Sequence, residues 1–305
     1  MSNCSEEPET EKPSSEVVAY AVLSTLNIIL SVTATLGNTL ILVSLRKVSS
    51  IYPPSKALFK CLAFTDLCVG LFAQPLYAVY IMLDDVTKMT KTTCSIRDIA
   101  ITVNNISSFV LCGVSMFTST AISVDRLLAL SLGIRHRVVV SLRRVRAVIA
   151  SFWVTSIFSL FLHVFVRYSI AETVGIAFVI LSSVVSVFCY TKIFLKLRRH
   201  QAQVEGRNRQ EQQKGGETRL NIIGYKKTVS CIGWIQLVII SCYFPYIFSV
   251  IMMQTSVWKQ TKILARSTVT LVYLNSSLNP LLYVWKIREV RFAVKNTLMK
   301  LCCRL

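Results

Sequence analysis

The chain has 305 residues, of which 53% are hydrophobic and 16% are charged, and its mean hydropathy is +0.56. This composition excludes a soluble domain with an ordinary polar surface and indicates a membrane protein. The formal net charge of +19 predicts contact with an anionic membrane surface and does not favour nucleic-acid binding.

Seven apolar runs are long enough to cross the hydrocarbon core of a bilayer, which takes about 20 residues. In chain order these predicted spans cover 17–45, 61–83, 99–124, 147–166, 174–195, 229–254 and 263–285. They form one membrane domain at 17–285, which a tail at 1–16 precedes. A polar stretch at 201–219 predicts a flexible third cytoplasmic loop, and residues 286–305 predict an amphipathic helix with a cytoplasmic tail.

The distribution of Lys and Arg predicts which side of the membrane each loop faces, because short cytoplasmic loops carry an excess of basic residues. Basic residues gather after the first, third, fifth and seventh spans. The tail at 1–16 is acidic, and the loop at 84–98 balances its basic residues with Asp. We therefore expect a multi-pass membrane protein with its N-terminus outside and its C-terminus inside.

The second span contains Asp66, and a carboxylate at mid-bilayer costs about 2.5 to 3.5 kcal/mol on insertion scales. Asp66 is therefore expected to face the bundle interior. Polar residues of other spans could meet it there, namely Asn38, Ser115, Asn275, Ser276 and Asn279. Two interpretations stay open: a hydrogen-bond network that only joins helices, or a cation or proton site that changes with conformation. Pro75, Pro245 and Pro280 predict kinks at which a helix could swing.

Each predicted span carries one short motif. In chain order these are GN at 37–38, LAFTD at 62–66, SVDRLLAL at 123–130, Trp153, CYTKI at 189–193, CYFP at 242–245 and NPLLY at 279–283. NPxxY alone is weak evidence, but the set in this order resembles the rhodopsin-like (class A) G-protein-coupled receptors over nearly the whole chain. The stretch SSLNPLLY resembles the switch segment of the seventh helix of that family.

The resemblance implies an all-α membrane protein, a seven-transmembrane helix bundle with a short amphipathic C-terminal helix, and no enzyme activity. The implied partners are a heterotrimeric G protein, an extracellular ligand, membrane lipids and arrestin. No cofactor is implied, but a sodium ion could act as an allosteric modulator. Residues implied in switching and G-protein coupling are Asp125, Arg126, Tyr190, Asn279, Pro280 and Tyr283. Residues implied in sodium binding are Asp66, Ser115, Asn275 and Asn279. Outward movement of the sixth helix about Pro245 would open a groove for a G-protein helix.

Several positions depart from the family pattern. The usual Cys about 25 residues before Arg126 is replaced by Ile101, and the loop HVFVRYSIAET lacks a Cys. Cys94 could pair with Cys4, or both could be free thiols, and the sequence does not decide between these alternatives. Leu127 stands where Tyr is usual, and the segment GYKKT offers no acidic partner to Arg126, so we expect appreciable basal activity. The chain resembles the melanocortin, lysophospholipid and cannabinoid receptor group, with adenosine receptors as relatives.

The residues aligned with family ligand pockets predict an aromatic, weakly polar cavity. Ser108 stands where amine receptors place an Asp, and the seventh span has no Lys for a retinal Schiff base. The predicted ligand-binding residues are Tyr77, Asn105, Ser108, Phe109, Cys112, Tyr243, Tyr246 and Tyr273, with Leu76, Tyr80, Ile247 and Val269 around them. They suit a neutral or amphiphilic small molecule such as a lipid or a nucleoside, although each aromatic side chain could equally be bundle core. The alternatives are a melanocortin-like peptide receptor and a constitutively active or silent receptor without its own ligand.

The ends of the chain carry predicted modification sites. Asn3 lies in a glycosylation sequon on the outer tail. Cys302 and Cys303 follow the amphipathic stretch at 286–301 and are candidates for palmitoylation. A transporter is disfavoured because no inverted repeat is visible, and an intramembrane enzyme is disfavoured because the three His lie near membrane edges without an HExxH motif.

Overall fold

The computed structural model describes residues 14–49, 51–84, 91–165, 168–208, 237–252, 262–286 and 288–302. The helices in these segments are α1 (Ser14–Lys47), α2 (Pro53–Cys68), α3 (Gln74–Asp84), α4 (Lys91–Leu132), α5 (His136–Val139), α6 (Leu142–Phe165), α7 (Tyr168–Asn208), α8 (Leu237–Met252), α9 (Lys262–Lys286) and α10 (Arg288–Cys302). A π-helical turn, Val69–Ala73, joins α2 to α3, and a 3-10 turn, Gly133–Arg135, precedes α5.

Five helical stretches are long and apolar enough to span a bilayer: Ser14–Lys47, Pro53–Leu83, Thr92–Val139, Leu142–Phe161 and Thr173–Arg199. The two remaining predicted spans correspond to α8 and α9. α8 is described over a shorter apolar stretch, and the apolar residues of α9 are interrupted by Asn and Ser. The helices also extend beyond the predicted spans. α4 starts before 99 and ends after 124 because its hydrogen bonds continue where its side chains become polar.

The predicted flexible loop at 201–219 is helical in its first part, since α7 continues to Asn208. The Gln and Arg residues in this stretch are compatible with helix formation once the membrane span has nucleated it. Residues 209–219 lie outside the described segments.

α4 lies at the centre of the bundle and contacts α2, α3, α6 and α7, whereas α1 contacts α2, α3, α9 and α10. Small residues allow close helix packing, as is usual in membranes, where lipid is as apolar as the helix surface. A Cβ on Gly70 would lie 2.8 Å from Thr35 Oγ1 and 3.0 Å from Ala34 Cβ, so only Gly fits between α1 and the second span. The lipid-facing surface remains apolar, with Leu36 67% exposed and Phe72 56% exposed.

Two of the predicted kinks have visible backbone consequences. Pro75 is the second residue after the π-helical turn, in which Gly70 O accepts a hydrogen bond from Ser31 Oγ at 2.7 Å. Pro280 lies within α9 and cannot donate to the carbonyl of Ser276. Asn38 Nδ2 of α1 donates to that freed carbonyl at 3.1 Å, so the polar residue in the GN motif compensates the proline of the NPLLY motif.

Candidate functional site

Buried and partly buried polar residues form three clusters along the bundle axis. The middle cluster comprises Asp66, Ser115, Ser276 and Asn279, which come from α2, α4 and α9. The outer cluster comprises Asn104, Ser108 and Tyr273. The inner cluster comprises Ser55, Asp125, Arg126 and His136. α4 contributes residues to all three clusters.

The middle cluster is built on Asp66, which is fully buried. Its Oδ1 accepts hydrogen bonds from Ser276 Oγ at 2.8 Å and Ser115 Oγ at 3.4 Å, and its Oδ2 accepts one from Asn279 Nδ2 at 2.7 Å. The structure thus brings together three of the four residues predicted for sodium binding. The fourth, Asn275, is also buried. Its neighbour in the sequence, Ser276, makes the direct contact with the Asp66 carboxylate.

Several buried amide oxygens near the middle cluster lack a hydrogen-bond donor among the described residues. They are Asn38 Oδ1, Asn275 Oδ1 and Asn279 Oδ1. An unsatisfied buried acceptor costs about 1 to 3 kcal/mol, so a hard cation or a water molecule in contact with them would be stabilising. Oxygen atoms from one carboxylate, hydroxyls and amides are a suitable ligand set for such a cation.

The inner cluster lies at the inner end of α4 and is built on Asp125, whose side chain is 4% exposed. Asp125 Oδ2 accepts a hydrogen bond from Ser55 Oγ at 2.7 Å and lies 3.0 Å from Arg126 Nη2. Asp125 Oδ1 lies 3.0 Å from His136 Nε2. The motif indicated both Asp125 and Arg126, but it did not indicate Ser55 or His136, which come from α2 and α5. A lone His among the Arg residues after α4 was the only sequence signal.

The predicted switch arginine packs against an aromatic ring. The Arg126 guanidinium lies over the ring of Phe59, with Cζ 5.8 Å from the ring centroid. The ring of Tyr283, which is buried, meets Phe59 edge-on at 5.5 Å. Tyr190 OH accepts a hydrogen bond from Ser123 Oγ at 3.3 Å. The predicted switch residues from α4, α7 and α9 therefore point into the same inner part of the bundle.

The outer cluster joins α4 to α9. Tyr273 OH donates to Asn104 Oδ1 at 2.9 Å and lies 2.6 Å from Ser108 Oγ. Asn105, which was predicted to line this cavity, is exposed, whereas its neighbour Asn104 is 2% exposed and makes the contact with Tyr273. Successive helical residues are rotated by about 100°, and Asn104 shares the inward face with Ser108, four residues later.

The other predicted pocket residues belong to two hydrophobic clusters, an outer core around Tyr77 and Tyr273 and an inner core around Tyr243 and Tyr283. Tyr77 is buried in the outer core and meets Tyr273 edge-on at 5.4 Å. Tyr243 is buried in the inner core, and Cys112 and Tyr246 pack against it. Phe109 is half-buried beside Gly175 of α7. The aromatic set therefore supplies bundle core as well as side chains near the outer cluster.

Arg266 of α9 is a site residue that the sequence reasoning missed. It is 8% exposed, and its guanidinium lies over the rings of Tyr20 and Tyr80, at 4.6 and 5.4 Å from their centroids. Its Nη2 donates to Tyr80 OH at 3.4 Å, and its carbonyl accepts from Tyr77 OH at 3.0 Å. A single basic residue inside the apolar run 263–285 was the available signal.

The predicted disulfide and modification sites are only partly described. Cys94 is disulfide-bonded, which excludes the free-thiol alternative for this residue. The cysteines at 61, 68, 112, 189 and 242 are free, so the partner lies outside that set. Cys4 is outside the described residues, and its pairing with Cys94 stays a prediction. Asn3 and Cys303 are also outside, and Cys302 is the last residue of α10.

Comparisons with known proteins identify the family. The family described as 7 transmembrane receptor (rhodopsin family) matches residues 37–174 and 166–283. Adenosine receptor A2b from Bos taurus is 32% identical over 134 residues, which cover 44% of this chain and only 37% of that protein. The crystal structure of squid rhodopsin shares the fold, with a TM-score of 0.76 and 17% identity over 97% of this chain and 89% of that one. The chain is therefore a membrane-spanning seven-helix bundle and belongs to the rhodopsin family, a family of receptors rather than of enzymes.

Proposed function

We propose that the chain is a G-protein-coupled receptor of the plasma membrane with an extracellular N-terminus. It transmits the binding of an extracellular, non-aminergic small molecule to a heterotrimeric G protein through outward movement of α8. The observation that carries this proposal is the pairing of Arg126 Nη2 with Asp125 Oδ2 at 3.0 Å, at the inner end of the central helix. This arrangement suits a resting state in which the arginine is withheld from the G protein.

The attachments of α8 support the proposed movement. Near its outer end, Ser249 Oγ lies 3.0 Å from Thr268 Oγ1 of α9, and both side chains are buried. Pro245 lies one turn further inward, where it removes a backbone hydrogen bond. A helix that is held at its outer end and weakened one turn below can swing its inner part, which would open a groove for a G-protein helix.

The charge of the outer region supports a ligand that is not an amine. Asn104, Ser108 and Tyr273 offer hydrogen-bonding groups without a negative charge. Arg266 adds a buried positive charge nearby on α9, which would repel a protonated amine. A lipid-like or nucleoside-like molecule with neutral or anionic polar groups fits these residues better. The similar bovine protein is named for adenosine, a nucleoside, which makes nucleosides the first compounds to test.

Sodium is proposed as an allosteric modulator that binds at the middle cluster. Asp66 would supply the charge, and Ser115, Asn275 and Asn279 would supply neutral oxygens. The unsatisfied amide oxygens of Asn275 and Asn279 support this assignment. A cation would stabilise the buried carboxylate, and the ion would therefore favour the conformation that keeps this cluster assembled.

The C-terminal helix is proposed to lie on the inner leaflet and to be fixed there by palmitate on Cys302 and Cys303. α10 packs against α1 and α9, and Lys47 Nζ of α1 donates to Thr297 Oγ1 at 3.0 Å. Exposed apolar residues such as Phe292, which is 67% exposed, can enter the lipid. An N-glycan on Asn3 and contacts with arrestin complete the proposed set of modifications and partners.

The test is expression of the receptor with readouts of cAMP and of G-protein dissociation. Wild-type receptor is expected to signal above background, and nucleosides and lipids are screened for a further response. Arg126→Ala should abolish the signal while the protein remains at the cell surface. Arg143→Ala, which changes an exposed arginine of α6, is the matched control and should signal like wild type. Full signalling by Arg126→Ala would contradict the proposal.

A further inference from the structure

His136 occupies a position from which its charge can control the switch arginine. Gly133, with φ of +54°, ends α4 in a backbone conformation that Gly adopts readily, and the chain then turns back. This turn brings His136 Nε2 to 3.0 Å from Asp125 Oδ1, although the two residues are eleven apart in sequence. The centroids of the His136 and Tyr52 rings lie 5.5 Å apart, and Tyr52 OH donates to Val140 O at 2.8 Å. The imidazole therefore contacts both Tyr52 and Asp125.

Asp125 thus lies between two nitrogen-bearing side chains. Its Oδ2 faces Arg126 and its Oδ1 faces His136. A neutral imidazole donates one hydrogen bond from Nε2 and leaves the negative charge of Asp125 to Arg126 alone. A protonated imidazole is a second cation at the same carboxylate, so the net attraction that holds Arg126 falls. Asp125 is almost fully buried, which limits solvent screening of this competition.

The groups that face His136 are consistent with such a role. Its own short helix and the 3-10 turn before it contribute only exposed charged residues, α4 contributes the buried Asp125 with the partly buried Arg126, and Arg144 of α6 donates to Val139 O at 2.7 Å. The titratable or charged residues around this short helix are Tyr52, Asp125, Arg126, Arg135, Arg137 and Arg144. Among these described neighbours Asp125 is the only acid.

We propose that His136 is a positioning residue of the coupling site whose protonation at the cytoplasmic face weakens the Asp125–Arg126 pair and raises basal G-protein activation. This inference rests on the proposed receptor function. Imidazole is suited to the task because histidine is the side chain that proteins use as a pH-sensitive switch.

The first experiment measures nucleotide exchange on a purified G protein added to inside-out membrane vesicles that contain the full-length receptor. Exchange by wild type is expected to rise about three- to tenfold between about pH 7.5 and about pH 5.5, relative to His136→Gln at each pH, since two cations then share one carboxylate. Gln keeps a donor at the position of Nε2 but does not titrate. His136→Arg, which keeps a permanent charge, should give high exchange at both pH values. An identical pH profile in wild type and His136→Gln, or a decrease at low pH in wild type, would overturn the inference.

The second experiment reads conformation without a G protein, so that failure of the inference is distinguished from failure of the proposed function. Nitroxide-bearing amino acids are placed at the exposed positions Arg143 of α6 and Leu237 of α8, and their distance distribution is measured in purified receptor. Acidification should increase the longer-distance population in wild type but not in His136→Gln. A pH-independent distribution in both proteins refutes the switch, whatever the coupling assay shows. A distance change without nucleotide exchange supports the switch and counts against G-protein coupling.

Discussion

The contact between Gly37 of α1 and Pro280 of α9 provides a direct test of the helix packing around the switch segment. A methyl group on Gly37 would lie 2.9 Å from both Cβ and Cγ of Pro280. Ordinary carbon contacts are about 3.5 to 4.0 Å, so the overlap is substantial. Both positions lie within helices and the proline ring is rigid, so neither group can rotate away. Gly37→Ala must therefore push α1 and α9 apart.

The expected magnitude follows from a comparison with a second glycine. Overpacking of a well-packed site costs about 1 to 3 kcal/mol, whereas Gly→Ala within a helix gains about 0.8 to 1 kcal/mol in propensity. Gly175→Ala of α7 should show the gain alone, because its Cβ would lie at an ordinary distance of 3.6 Å from Phe109 Cε2. The difference in unfolding free energy between the two variants therefore isolates the overpacking cost, at about 1 to 3 kcal/mol.

The assay is thermal denaturation of both variants and wild type, purified in the same detergent and matched for surface expression. Gly37→Ala should melt several degrees below Gly175→Ala, since roughly 2 to 4 °C accompany each kcal/mol in chains of 150 to 250 residues. Equal melting temperatures, or a more stable Gly37→Ala, would show that α1 and α9 do not approach each other at Pro280 as described.

Two further predictions concern the polar clusters. Tyr273→Phe removes the hydroxyl that donates to Asn104 Oδ1 at 2.9 Å, which should lower the unfolding free energy by about 1 to 3 kcal/mol because a buried acceptor loses a donor. Thermal denaturation of the variant and of wild type checks this. Asp66→Asn keeps the shape of the side chain and removes its charge, so replacing sodium by a large organic cation should alter the melting temperature of wild type but not of the variant. Equal sodium dependence in both proteins would contradict the proposed cation site.

Sequence reasoning named several of the side chains that meet in the middle of the bundle, but it also named Asn38 and Asn275, for which the structure describes no hydrogen bond to the Asp66 carboxylate. Asp66 is expensive to bury without partners, and Ser115 and Asn279 lie on the helix faces that the order of spans turns toward it. The motifs do not indicate which of Asn104 and Asn105 faces the interior of the bundle. Both asparagines lie within one turn of Ser108, and the rotation of α4 that buries Asn104 depends on packing against several other helices.

The inner cluster shows a different limit of sequence reasoning. The Asp125–Arg126 pair is local, so a motif suffices to predict it. The contact with His136 depends on where α4 ends and on the direction in which Gly133 turns the chain. Helix ends are hard to place from hydropathy alone, because α4 continues past the apolar run as far as Leu132. A titratable residue just beyond a helix end therefore acquires partners that its sequence neighbours do not indicate.

The attachments of α9 indicate which helices stay together when the receptor switches. Asn38 donates to the carbonyl that Pro280 frees, and Gly37 packs directly on the proline ring, so α1 holds α9 at its weakest point. α8 has a buried tie to α9 at Ser249, outward of Pro245. A movement that separated α1 from α9 would expose an unsatisfied carbonyl to lipid, whereas a swing of the inner part of α8 keeps its outer tie intact. Under the proposed function, the less costly conformational change is a swing of the inner part of α8, with α1 and α9 as the support against which it moves.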